Sequence, residues 1–240
     1  MIDFGLKNGV AYYIGRGFET DLHKHHALEF IFSIEGTFSI ETTDKVFSDV
    51  TSVGIQPNVP HKFIGGDGVY LFVFIEPELK RCIQISDQLF DKDDVFIPNI
   101  SGKIINTDSI TLLNLNEIAR VLSITIADEE DYQIFDQRIK NAIEIIKNYI
   151  SEKNLSLAYV SDKVNLSEDR FRHLFSEQIG LPFGRYVLWC RLQKAIVLVS
   201  NKLNFTEAAY ESGFADSAHL SRVFMEMFGI APSRVLKKIA

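Results

Sequence analysis

Three histidines and a carboxylate stand close together near the start of this 240-residue chain, with Gly17, His23, His25, Glu29 and Gly36 in the spacing G-x5-H-x-H-x3-E-x6-G. Pro57-Asn58-Val59-Pro60-His61 follows about 30 residues on. His23, His25 and Glu29 are separated by even numbers, so on one strand all three point to the same face and His26 points away. With His61 delivered from a neighbouring strand, three imidazoles and a carboxylate converge. That set suits a divalent transition metal such as zinc, iron, manganese or nickel. The same residues also suit a metal-free pocket that hydrogen-bonds a small molecule, or a cluster that satisfies itself. Phe30, Phe32, Phe38, Phe63, Phe72 and Phe74 are the apolar lining a pocket would need, and core packing accounts for the same rings.

A second constellation lies in the C-terminal half. Leu166-Ser167-x3-Phe171-x2-Leu174-Phe175 is echoed by Phe214-Ala215-x4-Leu220-x2-Val223-Phe224, with Arg172 and Arg222 at or next to matching places. Each copy reads as a helix, a tight turn at Asn165 or Gly213, and a second capped helix. That is the helix-turn-helix plan, in which the second helix enters the DNA major groove. Burying Phe171, Leu174 and Phe175 leaves Asp169, Arg172 and His173 together on the other face. Burying Leu220, Val223 and Phe224 leaves Ser217, Ala218, Ser221 and Arg222 outward, with His219 at the edge. Arginine can bond two acceptors of guanine, and short Ser and Ala let a helix approach a thymine methyl.

The elements that must position these residues change character along the chain. Short β-rich segments, Tyr12–Ile14, Ala27–Ile34, Thr37–Thr42, Ser52–Ile55 and Val69–Ile75, are broken by turn residues and suggest a sandwich or barrel over residues 1–107. Ile110, Leu113, Glu117, Ile118, Val121, Leu122 and Ile124 put an apolar stripe on a helix within residues 108–135, which flanks the barrel or pairs with a second copy of the chain. Asp128-Glu129-Glu130-Asp131 reads as a solvated linker. Residues 136–240 are helical nearly throughout, with Ser156, Ser167, Thr206 and Asp216 or Ser217 as helix starts. Phe183 to Ser200 makes a linking helix of 18 residues. At 1.5 Å per residue it spans roughly 27 Å, against about 34 Å between adjacent major-groove segments. With its turns it can hold both reading helices in successive grooves. Arg185, Arg191, Lys194, Lys202 and Lys237-Lys238 are candidate phosphate contacts.

Charge follows the same division. Residues 1–135 carry 10 Lys and Arg against 21 Asp and Glu, net −11, and residues 136–240 carry 15 against 11, net +4. Acidic surface repels polyphosphate and basic surface attracts it. Cys82 and Cys190 lack metal-site or disulfide spacing and read as core thiols. No apolar run reaches the roughly 18 residues a membrane helix needs, and the N-terminus lacks signal-peptide features, so a cytoplasmic location with no membrane partner is expected.

Residues 137–238, and most specifically Gly213 to Val235, resemble the AraC/XylS family of bacterial transcriptional regulators. The resemblance implies base-reading roles for Asp169, Arg172 and His173 in the first unit and for Ser217, Ala218, Ser221 and Arg222 in the second. The first unit departs from the family pattern at Ser161, Lys163 and His173. The N-terminal half resembles the cupin barrel, whose metal site uses the positions of His23, His25, Glu29 and His61; Gly65 stands where its second motif usually has Asn. Together these likenesses imply two domains, an all-β cupin-like barrel with a following helix and an all-α tandem helix-turn-helix joined by a long linker helix. The implied function is sequence-specific regulation of transcription, not catalysis. The implied partners are double-stranded promoter DNA, a small-molecule or metal effector, RNA polymerase for an activator, and a second copy for a homodimer. The rival reading is a metal-dependent cupin enzyme, an oxygenase or isomerase, with an appended DNA-binding domain.

Overall fold

The computed structural model describes residues 3–7, 9–90, 94–98, 100, 115–123, 136–152 and 154–236. The chain divides into two compact units, residues 1–131 together with 225–239, and residues 132–224 together with Ala240.

In the first unit the central strands are apolar on both faces. β1 (Asp3–Lys7), β2 (Val10–Arg16), β3 (Leu28–Glu35), β4 (Phe38–Thr42), β5 (Val46–Val50), β6 (Ser52–Ile55), β7 (His61–Gly65), β8 (Val69–Ile75) and β9 (Val95–Phe96) follow in chain order. β3, LEFIFSIE, is buried at its first six positions, so period-2 alternation sends its residues to two different cores. Leu28, Phe30 and Phe32 join Leu71, Val73 and Ile75 in one cluster. Ile31 joins Phe38, Phe63, Tyr70 and Phe72 in the other.

The expected barrel is not closed. Among the described residues the strands form a six-stranded sheet, β1-β2-β8-β3-β6-β9, and a three-stranded sheet, β5-β4-β7, each with free ends. A helix absent from the sequence reading, α1 (Lys80–Leu89), buries Cys82 and Ile85 in the cluster that holds Phe30 and Phe32. Burial also pushes the Cys82 thiol up to about 12, which suits a core thiol and not a reactive one. Of the intermediate stripe, α2 (Leu115–Leu122) is present, and Leu122 and Val121 pack on that same cluster, favouring the barrel-flanking use of this helix. Ile110, Leu113, Ile124 and the acidic stretch 128–131 lie outside the described residues, as do Lys237 and Lys238.

The second unit is helical, and its starts are set by local capping chemistry. α3 (Gln137–Asn148) begins at Asp136, whose carboxylate accepts from the Arg138 N–H. α4 (Leu157–Lys163) and α5 (Glu168–Ile179) begin at Ser156 and Ser167, whose hydroxyls accept from the Tyr159 and Arg170 N–H groups. α6 (Phe183–Ser200) has the bounds read from sequence. α7 (Phe205–Glu211) starts two residues earlier than expected, because Asn204 and not Thr206 accepts from the Glu207 N–H. α8 (Ser217–Phe228) is capped by Asp216, which accepts from the His219 N–H at 2.6 Å. α9 (Pro232–Val235) follows.

Gly213 holds the α7–α8 turn with φ +84°, and a Cβ there would lie 2.7 Å from the Ile150 carbonyl oxygen. Gly184, inside α6, has nothing within 4 Å of the same position. Gly213→Ala is therefore expected to destabilise the second unit by at least roughly 1–2 kcal/mol from the left-handed backbone alone. Gly184→Ala should be neutral or stabilising by up to about 1 kcal/mol. Urea denaturation followed by circular dichroism checks both signs.

Candidate functional site

Two sites emerge, one in each half of the chain. The histidine cluster is assembled differently from the expected single strand. Only Glu29 lies on β3; His23 and His25 precede it in an irregular segment. His23 forms an isolated antiparallel bridge with His61, the first residue of β7. Its N–H donates to the His61 carbonyl at 3.0 Å and the His61 N–H donates back at 2.9 Å. The Asn58 N–H donates to the His25 carbonyl at 2.8 Å, tying the loop before His61 to the loop before β3. These main-chain bonds do the positioning that strand alternation was expected to do.

The four side chains converge all the same. Ligand atoms of His23, His25 and His61 lie within 4.8 Å of one another. Glu29 Oε2 lies 3.0 Å from His61 Nε2 and 3.3 Å from His25 Nε2. All four residues are buried. His26 turns away, as expected, and its Nε2 meets Glu78 Oε1 at 2.7 Å. Of the six phenylalanines, Phe74 meets the histidines, edge-on to His25 with ring centroids 5.4 Å apart. Phe30 and Phe32 instead lie in the separate cluster under α1.

Electrostatics divide the roles within the cluster. Both ring nitrogens of His61 face acceptors, since Nδ1 meets the Val59 carbonyl at 2.9 Å while Nε2 meets Glu29. Burial opposes charge on this ring, but the Glu29 carboxylate outweighs it and raises the His61 pKa. Burial likewise opposes ionisation of Glu29, and the hydrogen bonds from His25 and His61 outweigh it, holding the carboxyl well below its usual range. His23 goes the other way: burial first, then the field of His61 and His25, pushes it down to about 3.

The donor set fits a transition metal. His23 Nδ1 meets the Asp21 carbonyl at 2.9 Å, as His61 Nδ1 meets that of Val59. A ring that donates Nδ1–H to a backbone carbonyl presents Nε2 as the ligand atom, the arrangement usual for metal-bound histidine. Glu29 would serve either as an oxygen ligand or as the acceptor that orients His25 and His61.

In the helical half, Phe171, Leu174 and Phe175 are buried on α5, and Leu220, Val223 and Phe224 on α8. Asp169, Arg172, His173, Ala218 and Arg222 are exposed, as the repeat predicts, while Ser217 and Ser221, also expected outward, are half-buried. Aligning the two caps, Ser167 and Asp216, pairs Arg172 with Ser221 and His173 with Arg222, so the two arginines are offset by one position. Arg172 Nη1 donates to Asp169 Oδ1 at 2.6 Å, making Asp169 a partner of the arginine. His219 packs edge-on against Phe214, with centroids 5.2 Å apart. Two expected phosphate contacts have internal duties. The Arg191 Nε donates to the Ile150 carbonyl at 3.0 Å, and Lys194 Nζ donates to Ser151 Oγ at 2.6 Å. Their partners are about 40 residues away in sequence, so helical spacing gave no sign of them. The sequence pattern also gives no sign of Phe228, whose ring lies 6.0 Å from that of His25.

Linkage gives the metal-free cluster a pH signature. Because folded His23 is held at about 3, the unfolded chain takes up a proton between the ordinary value of 6.5 and about 3 that the folded chain refuses. Stability therefore falls as pH falls through that window, by up to about 1.4 kcal/mol per pH unit. His61 acts oppositely, its contribution being complete below the ordinary histidine value and lost as pH rises through the raised one. His23→Asn should flatten the acid limb of a stability profile from urea denaturation in EDTA; equal limbs would contradict this account.

A family model described as a helix-turn-helix domain matches residues 160–238. The Arabinose operon regulatory protein of Escherichia coli (strain K12) is 27% identical over 155 residues, covering 60% of this chain and 53% of that protein. The chain thus spans about half the length of that relative. The probable transcriptional regulator LumQ of Photobacterium leiognathi is 23% identical over 239 residues, 88% of this chain and 90% of its own. Among solved structures, ToxT from Vibrio cholerae O395 matches with a TM-score of 0.62 at 14% identity, covering 98% of this chain and 99% of that one, a likeness of fold. Among the described residues no helix is long and apolar enough to cross a membrane. The chain thus carries a helix-turn-helix domain after a β-rich N-terminal domain, and it is similar to these transcriptional regulators.

Proposed function

We propose that this chain is a cytoplasmic, sequence-specific DNA-binding regulator of transcription, and that α5 and α8 read promoter DNA under the control of an effector held by the histidine cluster. The observation that carries the reading is the pair of helices, α5 and α8, each capped by a side chain at the residue before its first turn, each buried on one stripe and each presenting an exposed arginine. Arg172 and Arg222 supply the guanine contacts, and Ser217, Ala218 and Ser221 supply close approach and thymine-methyl contact on α8. Asp169 orients Arg172, and His173 stands where α8 has its arginine. One chain carries both helices, so a monomer has what is needed to contact two groove segments. The apolar end of α2 is already occupied by the core of the first unit, which weakens the case for a dimer built on it.

The structures of ToxT with an unsaturated fatty acid and with (E)-4-(8-methylnaphthalen-1-yl)but-3-enoic acid support small-molecule control in this fold. For this chain the donor set favours a divalent transition metal, held by His23, His25 and His61 with Glu29 beside them. The metal would act as a crosslink between the loop before β3 and the start of β7. Holding a metal would require His61 to give up the proton it directs toward Glu29, so affinity would rise with pH.

Selection of bound sequences from a random duplex pool tests the DNA reading. The wild type should enrich a motif spanning two groove segments, and Arg222→Ala should lose about 1–3 kcal/mol on that motif and relax one base preference. Unchanged selectivity would contradict the assignment. Titration of EDTA-treated protein with Co2+, followed by visible absorption, should show one site that His61→Ala weakens at least about tenfold.

A further inference from the structure

The histidine cluster has a wall that its own strands do not supply. Residues 225–239 belong to the same compact unit as residues 1–131. Within that unit the Phe228 ring lies 6.0 Å from His25 and 5.9 Å from Phe74, centroid to centroid. The Asp21 N–H donates to the Gly229 carbonyl at 2.7 Å. Val235 packs against the core of Phe38, Phe63 and Phe72. Gly229 has φ +62°, and a Cβ on it would run into the Asp21 carbonyl and lie 2.7 Å from His23 Nδ1. An aromatic contact, a main-chain hydrogen bond and a glycine-only fit thus meet at one place.

We infer that Phe228 and Gly229 form the closing wall of the histidine site, so that occupancy of the site and the position of the end of α8 are one equilibrium. The inference rests on the effector role proposed above for the cluster. Two short connections carry it. Asp21 is held on both sides of its Cα, its carbonyl by His23 Nδ1 and its N–H by the Gly229 carbonyl. His23, if it held a metal through Nε2, would keep Nδ1 on the Asp21 carbonyl with its ring fixed, which would steady the residue against which Gly229 is seated. His25, likewise held, would fix the ring against which Phe228 packs. Both effects favour the seated segment.

Phe228 is the last residue of the helix that carries Ser217, Ala218, Ser221 and Arg222. Arg222 and Phe228 are six residues apart on one continuous helix, roughly 9 Å along its axis. Reciprocity follows: whatever factor the metal exerts on seating of α8, seating exerts on metal affinity.

The test uses the full chain with Co2+ as the probe, read by visible absorption, and amide hydrogen exchange of residues 19–26 and 217–231, in wild type, Phe228→Ala and Gly229→Ala. Neither substitution removes a metal-ligating side chain, and Phe228→Leu keeps apolar volume should the alanine variant unfold. The expected result is that Co2+ slows exchange in both segments of the wild type. The variants should exchange faster at residues 19–26 and bind Co2+ roughly tenfold more weakly with the same absorption band, a factor typical of coupled sites. If Co2+ binds the wild type but exchange of 217–231 is unchanged, or both variants bind it like wild type, the inference is overturned while the metal reading stands. If the wild type binds no Co2+, the metal reading fails and the wall is judged in the metal-free chain. There, faster exchange at residues 19–26 in Gly229→Ala upholds it, and exchange equal to wild type overturns it.

Discussion

A carboxylate removed from water must be answered by charge or hydrogen bonds, because its desolvation otherwise costs several kcal/mol. Glu29 is 3% exposed and on a central strand, and both of its answering groups, His25 and His61, come from outside that strand. The irregular segment before β3 and the start of β7 are therefore obliged to meet over Glu29. The His23–His61 bridge is the backbone form of that meeting. From this one requirement follow the shared burial of three imidazoles, the opposite displacement of His23 and His61 from ordinary histidine behaviour, and ligand atoms of three histidines within 4.8 Å of one another. A cluster of this kind is a poor choice for stability alone, since apolar residues of the same volume would pack without desolvation cost.

The helical half solves a different problem, that of holding two short helix pairs rigidly with little core between them. α6 is buried on several sides, through Phe183, Tyr186, Trp189, Leu192 and Val199, and so serves both pairs. Polar bonds to the segment after α3 add to this: Arg191 and Lys194 reach Ile150 and Ser151, and the Ser151 hydroxyl donates to the Glu211 carbonyl. Gly213 is placed where this bonding leaves no room for a side chain. Arg191 and Lys194, which look like phosphate contacts in the sequence, are thus part of what fixes the second turn.

Legibility tracked locality. Caps such as Ser156 and Ser167 satisfy N–H groups three residues on, so the starts of α4 and α5 could be read directly. At α7 two capping residues, Asn204 and Thr206, compete within three positions, and pattern alone does not decide between them. The metal-type residues were legible as a set, but the reason for their convergence was not: even spacing suggested one strand, whereas the bridge to His61 and the Asn58 bond assemble them. Alternation did hold for Phe30 and Phe32, and for that reason it sent them away from the Glu29 face. α1 was missed because its apolar residues are few and follow Pro77 directly after β8. Closure by Phe228 and Gly229 joins residues some 200 positions apart, which no periodicity encodes.

The central claim is that one chain reads two successive groove segments with α5 and α8. Hydroxyl-radical footprinting of the full chain, on a duplex recovered by selection, tests it most directly. The account predicts two protected patches on one face of the duplex, about one helical turn of 10 to 10.5 base pairs apart, with the patch under α8 weakened in Arg222→Ala. A single protected patch, or two patches that Arg222→Ala leaves unchanged, would contradict it.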